Sequence, residues 1–397
     1  MCNHKRTKCA SCNSSEFNQV YDFGRVPLAG SFPTDPGRVE KYPLKIIMCK
    51  ECKLIQTNYL IDPEELFKDY RYISSVGMQK HFDDYANWLV DKEGIDKSKV
   101  ILEFGCNDGP LLYALKQKGI TVLGVDPASN IVKLGQAKDL LIIDDFFNYD
   151  FVNRSGLSNH FDYILSSNSF AHIEDIQGVI KGVKAALVLN GKFIFEVQYL
   201  VDLVDKFQFD FMYHEHLFYY TLTSLQNLFK PHGLTILDFE RIPIHSGSIR
   251  VIVGKGKNNQ KVLEQLKAEE PYLNLNNFSE HISTALNNLK TYLKDNKNLK
   301  IAGYGASGRA NVVTSVLDLD QSLIQYIIDE SPERYNKWTA NGKIPIFPPE
   351  HLVKFKPDVI VVFAWNFADM IIEKTKHLGI PYIIPFPELK IINSKLD

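Results

Sequence analysis

Two groups of side chains in this sequence have types and spacings suited to chemistry. The first is a pair of cysteine knuckles, Cys9-Ala-Ser-Cys12 and Cys49-Lys-Glu-Cys52. Two residues between cysteines let both thiolates face one ion, and two knuckles complete a tetrahedral shell of four sulfurs. All-thiolate ligation favours zinc over hard cations. Four protein ligands leave no open position, so the expected ion is structural. The second group is Phe211-Met-Tyr-His-Glu-His-Leu-Phe-Tyr-Tyr220. Between positions 213 and 220 it holds two histidines, one glutamate and three tyrosines. On a strand, His214 and His216 would share a face. The zinc-protease pattern His-Glu-x-x-His is absent. A base with phenolic donors beside it is the expected chemistry, not a catalytic metal.

These groups need elements to position them. Val100–Leu102 reads as a buried strand, Gly105 and Gly109 punctuate a turn, and Pro110-Leu-Leu-Tyr-Ala-Leu115 restarts as a helix. A second apolar run ends in Asp126, about 20 residues past Gly105, where a carboxylate can take two ribose hydroxyls. The turn Glu103-Phe-Gly-Cys-Asn-Asp-Gly109 resembles motif I of class I S-adenosylmethionine (SAM) methyltransferases. It opens on an acid and lacks a pyrophosphate cradle. Further strands are expected at Leu140–Asp145, Phe161–Asn168, Lys192–Val197, Leu234–Phe239 and Ile249–Val253. A helix should cover about Asp175 to Leu187, and Asn190-Gly191 should turn the chain. Strands alternating with helices give a parallel sheet with its ligand at the carboxyl ends. Asp126, Asp144, Asp145, Asn168 and His172 fall there. Glu103, Gly105, Asn107, Asp126, Asp145 and Asn168 are the expected cofactor residues, with Asp126 on the ribose and Gly105 and Asn107 on the methionine side.

Bulk properties narrow the function classes. The 397 residues exceed one ordinary core. Net charge is −2, from 45 basic and 47 acidic residues, so no basic excess points to nucleic acid. No apolar run approaches the ~18 residues of a membrane span, and no signal-peptide pattern opens the chain. The expectation is a cytoplasmic monomer with no membrane partner. The prolines and glycines between the cysteine pairs read as an irregular loop lobe. Residues 255–299 read as polar helices, with Ile282, Leu286, Leu289 and Leu293 on one face and Leu263 and Leu266 on a shorter one. Beyond them, Gly303, Gly305 and Gly308 form G-x-G-x-x-G after a strand, and Asp329 follows about 20 residues later, a dinucleotide fingerprint when taken alone. An NAD-dependent oxidoreductase or epimerase is the alternative that this fingerprint carries. The expected fold is α/β in four parts: 1–75 a zinc-binding lobe, 76–255 a SAM-binding domain, 256–298 a helical connector and 299–397 a Rossmann-like domain.

In order along the chain, these features resemble the SAM-dependent sugar C-methyltransferases that act on nucleotide-linked deoxy-ketosugars. The resemblance covers nearly the whole chain: the four-cysteine lobe, the SAM domain, the Tyr213-His-Glu-His216 segment and a last domain opening Gly303-Tyr-Gly-Ala306. It implies that Cys9, Cys12, Cys49 and Cys52 hold zinc. It implies that Tyr72, His172, Tyr213, Glu215 and His216 form the catalytic set, with His216 as base and Glu215 tuning its neighbours. It implies C-methylation of a nucleotide-linked 4-keto-deoxysugar, at C3 in the family's type case, through an enolate. It also implies that the last domain needs no nicotinamide. Methyl transfer to oxygen or nitrogen is the other alternative, since it needs no carbon acid.

Overall fold

The computed structural model of the chain describes residues 3–37, 39–63, 66 and 73–393. Tyr72 lies outside the described residues. Among them, no helix is long and apolar enough to cross a membrane.

The middle of the chain forms a seven-stranded sheet. Its order is Thr235–Ile242, Ser248–Gly254, Leu187–Gln198, Phe161–Ser167, Val100–Phe104, Thr121–Asp126, Ile142–Asp144. The last five pair in parallel, and Ser248–Gly254 runs antiparallel to both its neighbours. Ile101, Leu102 and Phe104 are buried completely, because helices cover both faces of a parallel strand. Chain order reverses between Val100–Phe104 and Phe161–Ser167, which opens a crevice at their carboxyl ends. The covering helix stops at Ala186, and Asn190-Gly191 does not turn the chain. Leu187–Gln198 continues through them with a register shift between Leu187 and Lys192. Gly191 is needed there because a Cβ would lie 3.0 Å from the Asp162 carbonyl oxygen.

The amino-terminal lobe is not irregular. Phe17–Val26 and Tyr42–Cys49 pair antiparallel, and Ile55–Thr57 joins them. Val20, Phe23 and Val26 turn inward from the first strand, while Pro27, Pro33 and Pro36 fall in the connection. The fourth strand, Phe218–Tyr219, comes from the far end of the histidine-rich segment.

The carboxy-terminal sheet is ordered Ile346–Phe347, Tyr326–Ile328, Ile301–Tyr304, Val359–Val362, Tyr382–Ile384, Lys390–Ile392, parallel except at the last strand. Helix Asn276–Asp295 leads to it and buries Ile282, Leu286, Leu289 and Leu293 as expected. In Gln260–Ala268 Leu266 packs against the core as expected, but Leu263 faces solvent and Val262 is the fully buried residue. Ala29, Ile46, Met212, Tyr219, Leu289, Val313 and Phe386 share one apolar cluster. At about 1.5–3 kcal/mol for each large side chain fully buried, this cluster ties the lobes into one body.

Candidate functional site

The four expected metal ligands converge. Cys9 and Cys52 sulfurs are 3.4 Å apart, Cys12 and Cys49 sulfurs 3.5 Å, and all four lie within 4.8 Å of one another. A tetrahedron with Zn–S bonds of about 2.3 Å has edges of about 3.8 Å, so the set fits zinc. Gln56 orients one ligand: its Nε2 donates to Cys9 Sγ at 3.3 Å. Strand Ile55–Thr57, which carries Gln56, also pairs with Phe218–Tyr219. The metal shell and the histidine segment therefore share a sheet.

A cavity of about 600 Å³ opens at the carboxyl ends of the central strands. Gly105, Asn107, Asp126, Asn168 and His172 line it, and Phe146, Phe147 and Asn148 form an apolar wall with one amide. Gly105 has a φ of +63°, and a Cβ there would fall 2.2 Å from Ser169 Oγ, so the turn accepts only glycine at this point. Asp126 Oδ2 accepts from the Asn107 N–H at 2.8 Å and Oδ1 from the Ala128 N–H at 2.9 Å. Each oxygen keeps a lone pair, which suits a vicinal diol such as a ribose. Burial pushes this carboxyl up.

Three cofactor expectations fall differently. Glu103 lies beneath the cavity lining, fully buried, with Oε1 taken by Ser167 Oγ at 2.9 Å and no partner for Oε2 among the described residues. Burial pushes it up to about 8. Asn107 reaches the cavity, but its Oδ1 accepts from the Ser74 N–H at 2.8 Å and anchors the start of helix Ser75–Glu93. Asp145 is not on the wall. It pairs with Arg154 and accepts from the Phe146 N–H at 2.8 Å.

The histidine segment is a turn, and its two histidines part company. His214 points away, its ring edge-on to Tyr42 and its Nε2 3.2 Å from Pro43 O. His216 Nδ1 lies 2.7 Å from Phe211 O, and His172 Nδ1 lies 2.6 Å from Glu215 O. A carbonyl only accepts, so each Nδ1 carries the hydrogen. The two rings meet edge-on with centroids 5.0 Å apart, and Tyr213 lies over His216 at 4.0 Å. Burial lowers both histidines, His216 well below the ordinary imidazole value, with His172 adding to the effect. Glu215 Oε1 accepts from the Gly30 N–H at 3.0 Å, and burial pushes this carboxyl up. Among these three residues, only His172 lines the cavity.

Arg6 and His245 are among the cavity residues that were not anticipated. His245, Ser246 and Gly247 take successive positive φ values of +48°, +64° and +138°. The sequence His245-Ser-Gly-Ser248 signals only a link between strands, and the strain in it appears in three dimensions.

The carboxy-terminal glycine turn is already engaged. Asp329 Oδ2 accepts from the Ala306 N–H at 2.7 Å and pairs with Arg334 at 3.0 Å. Asn311 Nδ2, in the first turn of helix Gly308–Val316, donates to Ala29 O at 2.8 Å. Arg309 pairs with Asp210 at 2.7 Å. The acid meant for a ribose and the mouth of the turn thus hold other parts of this chain.

Three family models match in series. One described as "Putative zinc binding domain" covers 9–67, one described as a methyltransferase domain covers 78–238, and one described as a C-methyltransferase C-terminal domain covers 243–387. The C-methyltransferase NovU of Streptomyces niveus is 30% identical over 413 residues, spanning 98% of this chain and 97% of that protein. A methyltransferase of Oceanobacillus iheyensis is 29% identical over 140 residues, 34% of this chain and 61% of that protein. Among solved structures, the magnesium protoporphyrin IX methyltransferase of Synechocystis with bound SAM overlaps 46% of this chain and 81% of its own, at 16% identity and a TM-score of 0.35.

Proposed function

The chain belongs to the SAM-dependent C-methyltransferases that NovU represents, and from that premise we propose that its acceptor is a nucleotide-linked 4-keto-deoxysugar, methylated at C3 through an enolate. SAM, when bound, supplies the electrophilic methyl group that a carbon nucleophile takes. Asp126 would hold its ribose, and the Gly105 turn and Asn168 its methionine end, with Glu103 beneath that turn. Cys9, Cys12, Cys49 and Cys52 would hold zinc in a structural role.

The acceptor chemistry rests on this chain's own groups. A ketone acidifies the hydrogen on the adjacent carbon, because the electron pair left behind moves onto oxygen. His216 would take that proton at Nε2. The observation that carries this reading is its Nδ1 hydrogen bond to Phe211 O, which leaves a lone pair on Nε2 whenever the ring is neutral. Burial keeps it neutral at physiological pH. Tyr213, against the same ring, would donate toward the enolate oxygen. Positioning supplies much of the remaining rate. A second assignment has its own support: His172 lines the cavity and is fixed as the same tautomer, so it could take the proton in place of His216.

Incubation with SAM and a panel of nucleotide-linked 4-ketosugars, read by mass spectrometry, tests the acceptor class. A gain of one methylene unit, with the new methyl on carbon by NMR, is the expected product. A methyl on oxygen or nitrogen would overturn the enolate.

A further inference from the structure

Arg6 is only 8% exposed, yet it lines the same cavity as Gly105, Asp126 and His172. Its backbone is fixed, with the N–H donating to Asn58 O at 2.7 Å just after the pairing of His4–Lys5 with Tyr59–Leu60. Its guanidinium sits 5.3 Å from the centre of the Phe218 ring. Nε and Nη2 are both buried with no hydrogen-bond partner among the described residues. Those two nitrogens form one edge of the guanidinium, and their N–H bonds run side by side. The edge matches two oxygens of a carboxylate or phosphate. A second orphan lies in the same field: the Tyr220 hydroxyl is fully buried with no partner among the described residues, and Arg6 is the charge acting on it. Glu174 is the strongest counter-charge on Arg6, but no ion pair joins them within 4.0 Å, and Glu174 is paired with His4 at 3.7 Å. A buried cation without a counter-ion is destabilising, and an unsatisfied buried group calls for an occupant.

We propose that Arg6 is a ligand-binding residue whose Nε–Nη2 edge takes an anionic oxygen pair in this cavity. Two anions can reach such a cavity: the α-carboxylate of SAM and, on the acceptor reading above, the diphosphate of the nucleotide-linked substrate. Only the second source depends on that reading.

Calorimetry on the full zinc-loaded chain separates the two, with SAM, decarboxylated SAM and thymidine diphosphate as probes. If Arg6 grips the carboxylate, Arg6→Gln weakens SAM by about 10- to 100-fold. Decarboxylated SAM then binds the wild-type and variant chains alike. If it grips the phosphate, SAM is unchanged and thymidine diphosphate weakens by a similar factor. Arg6→Lys should recover part of either loss, since it keeps the charge and loses the fork. Arg6→Met, which removes an uncompensated buried charge, should leave the melting temperature of the ligand-free chain unchanged or higher, with zinc retained. Unchanged affinity for all three probes would overturn the proposal. So would loss of zinc in the variants, which would make Arg6 a counter-charge to the thiolates instead.

Discussion

The backbone N–H of Gly30 donates to Oε1 of Glu215 at 3.0 Å, and a Cβ on Gly30 would meet that same oxygen at 3.0 Å. A loop of the amino-terminal lobe thus holds the residue whose carbonyl fixes His172. Removing the carboxyl should loosen that hold. Glu215→Ala is expected to cost about 0.5–1.5 kcal/mol of stability by removing this bond, since the exposed Gly30 N–H can turn to water. It should lower kcat with SAM affinity retained, and Glu215→Gln, which keeps Oε1, should recover most of both. Urea unfolding and single-turnover rates check this.

Zinc acts on the same segment through the shared sheet. Removing the metal withdraws the free energy that orders the knuckles and frees the strand carrying Gln56. The pairing of Phe218–Tyr219 with Ile55–Thr57 then weakens, and with it the placement of His216. Chelation should abolish methyl transfer and lower the melting temperature, and added zinc should restore both. Metal content, melting and transfer measured on one sample provide the check.

The two histidines set a pH limit. Their values in the fold lie below the ordinary 6.5, His216 by the wider margin. Each contributes stability that is present above 6.5 and lost as pH falls through the lowered value. The acid limb of kcat/KM should therefore lie well below 6.5, with the rate level between 6.5 and 8. His216→Gln should reduce the stability lost on acidification. Rate profiles and denaturant unfolding across this range are the measurements.

Glu103 has the opposite sign. Burial raises it from 4.5 to about 8, so its contribution is fully present below 4.5 and is lost as pH rises through about 8. In the ligand-free chain, wild-type stability relative to Glu103→Gln should decline between pH 5 and 9. Unfolding curves of the pair at matched ionic strength test it.

The parts legible in the sequence were local. Two knuckles, a strand ending in Glu103 and a second ending in Asp126 each declare themselves within a few residues. What stayed hidden depends on pairings between distant positions. Nothing near Phe218 says that it will complete a sheet begun at Phe17. The bond from Gly30 to Glu215 spans 185 positions. Gly303, Gly305 and Gly308 matched a dinucleotide fingerprint because the local turn is the same. Only the fold shows Asp329 spent on Ala306 and Arg334, and Asn311 bonded to Ala29. Asp145 was expected beside the cofactor from its place at a strand end, yet Arg154 draws it aside and Phe146 and Phe147 supply the wall. His214 and His216 would share a face only on a strand, and the turn they form sends them to separate partners.

The central claim is removal of a carbon-bound proton at His216, and it can be measured without methyl transfer. A nucleotide-linked 4-ketosugar in deuterated buffer, with S-adenosylhomocysteine in place of SAM, should exchange the hydrogen beside its ketone on the wild-type chain. His216→Ala should keep SAM affinity within about twofold and lose that exchange. Exchange at the wild-type rate in His216→Ala would contradict the account, and its loss in His172→Ala alone would move the base to His172.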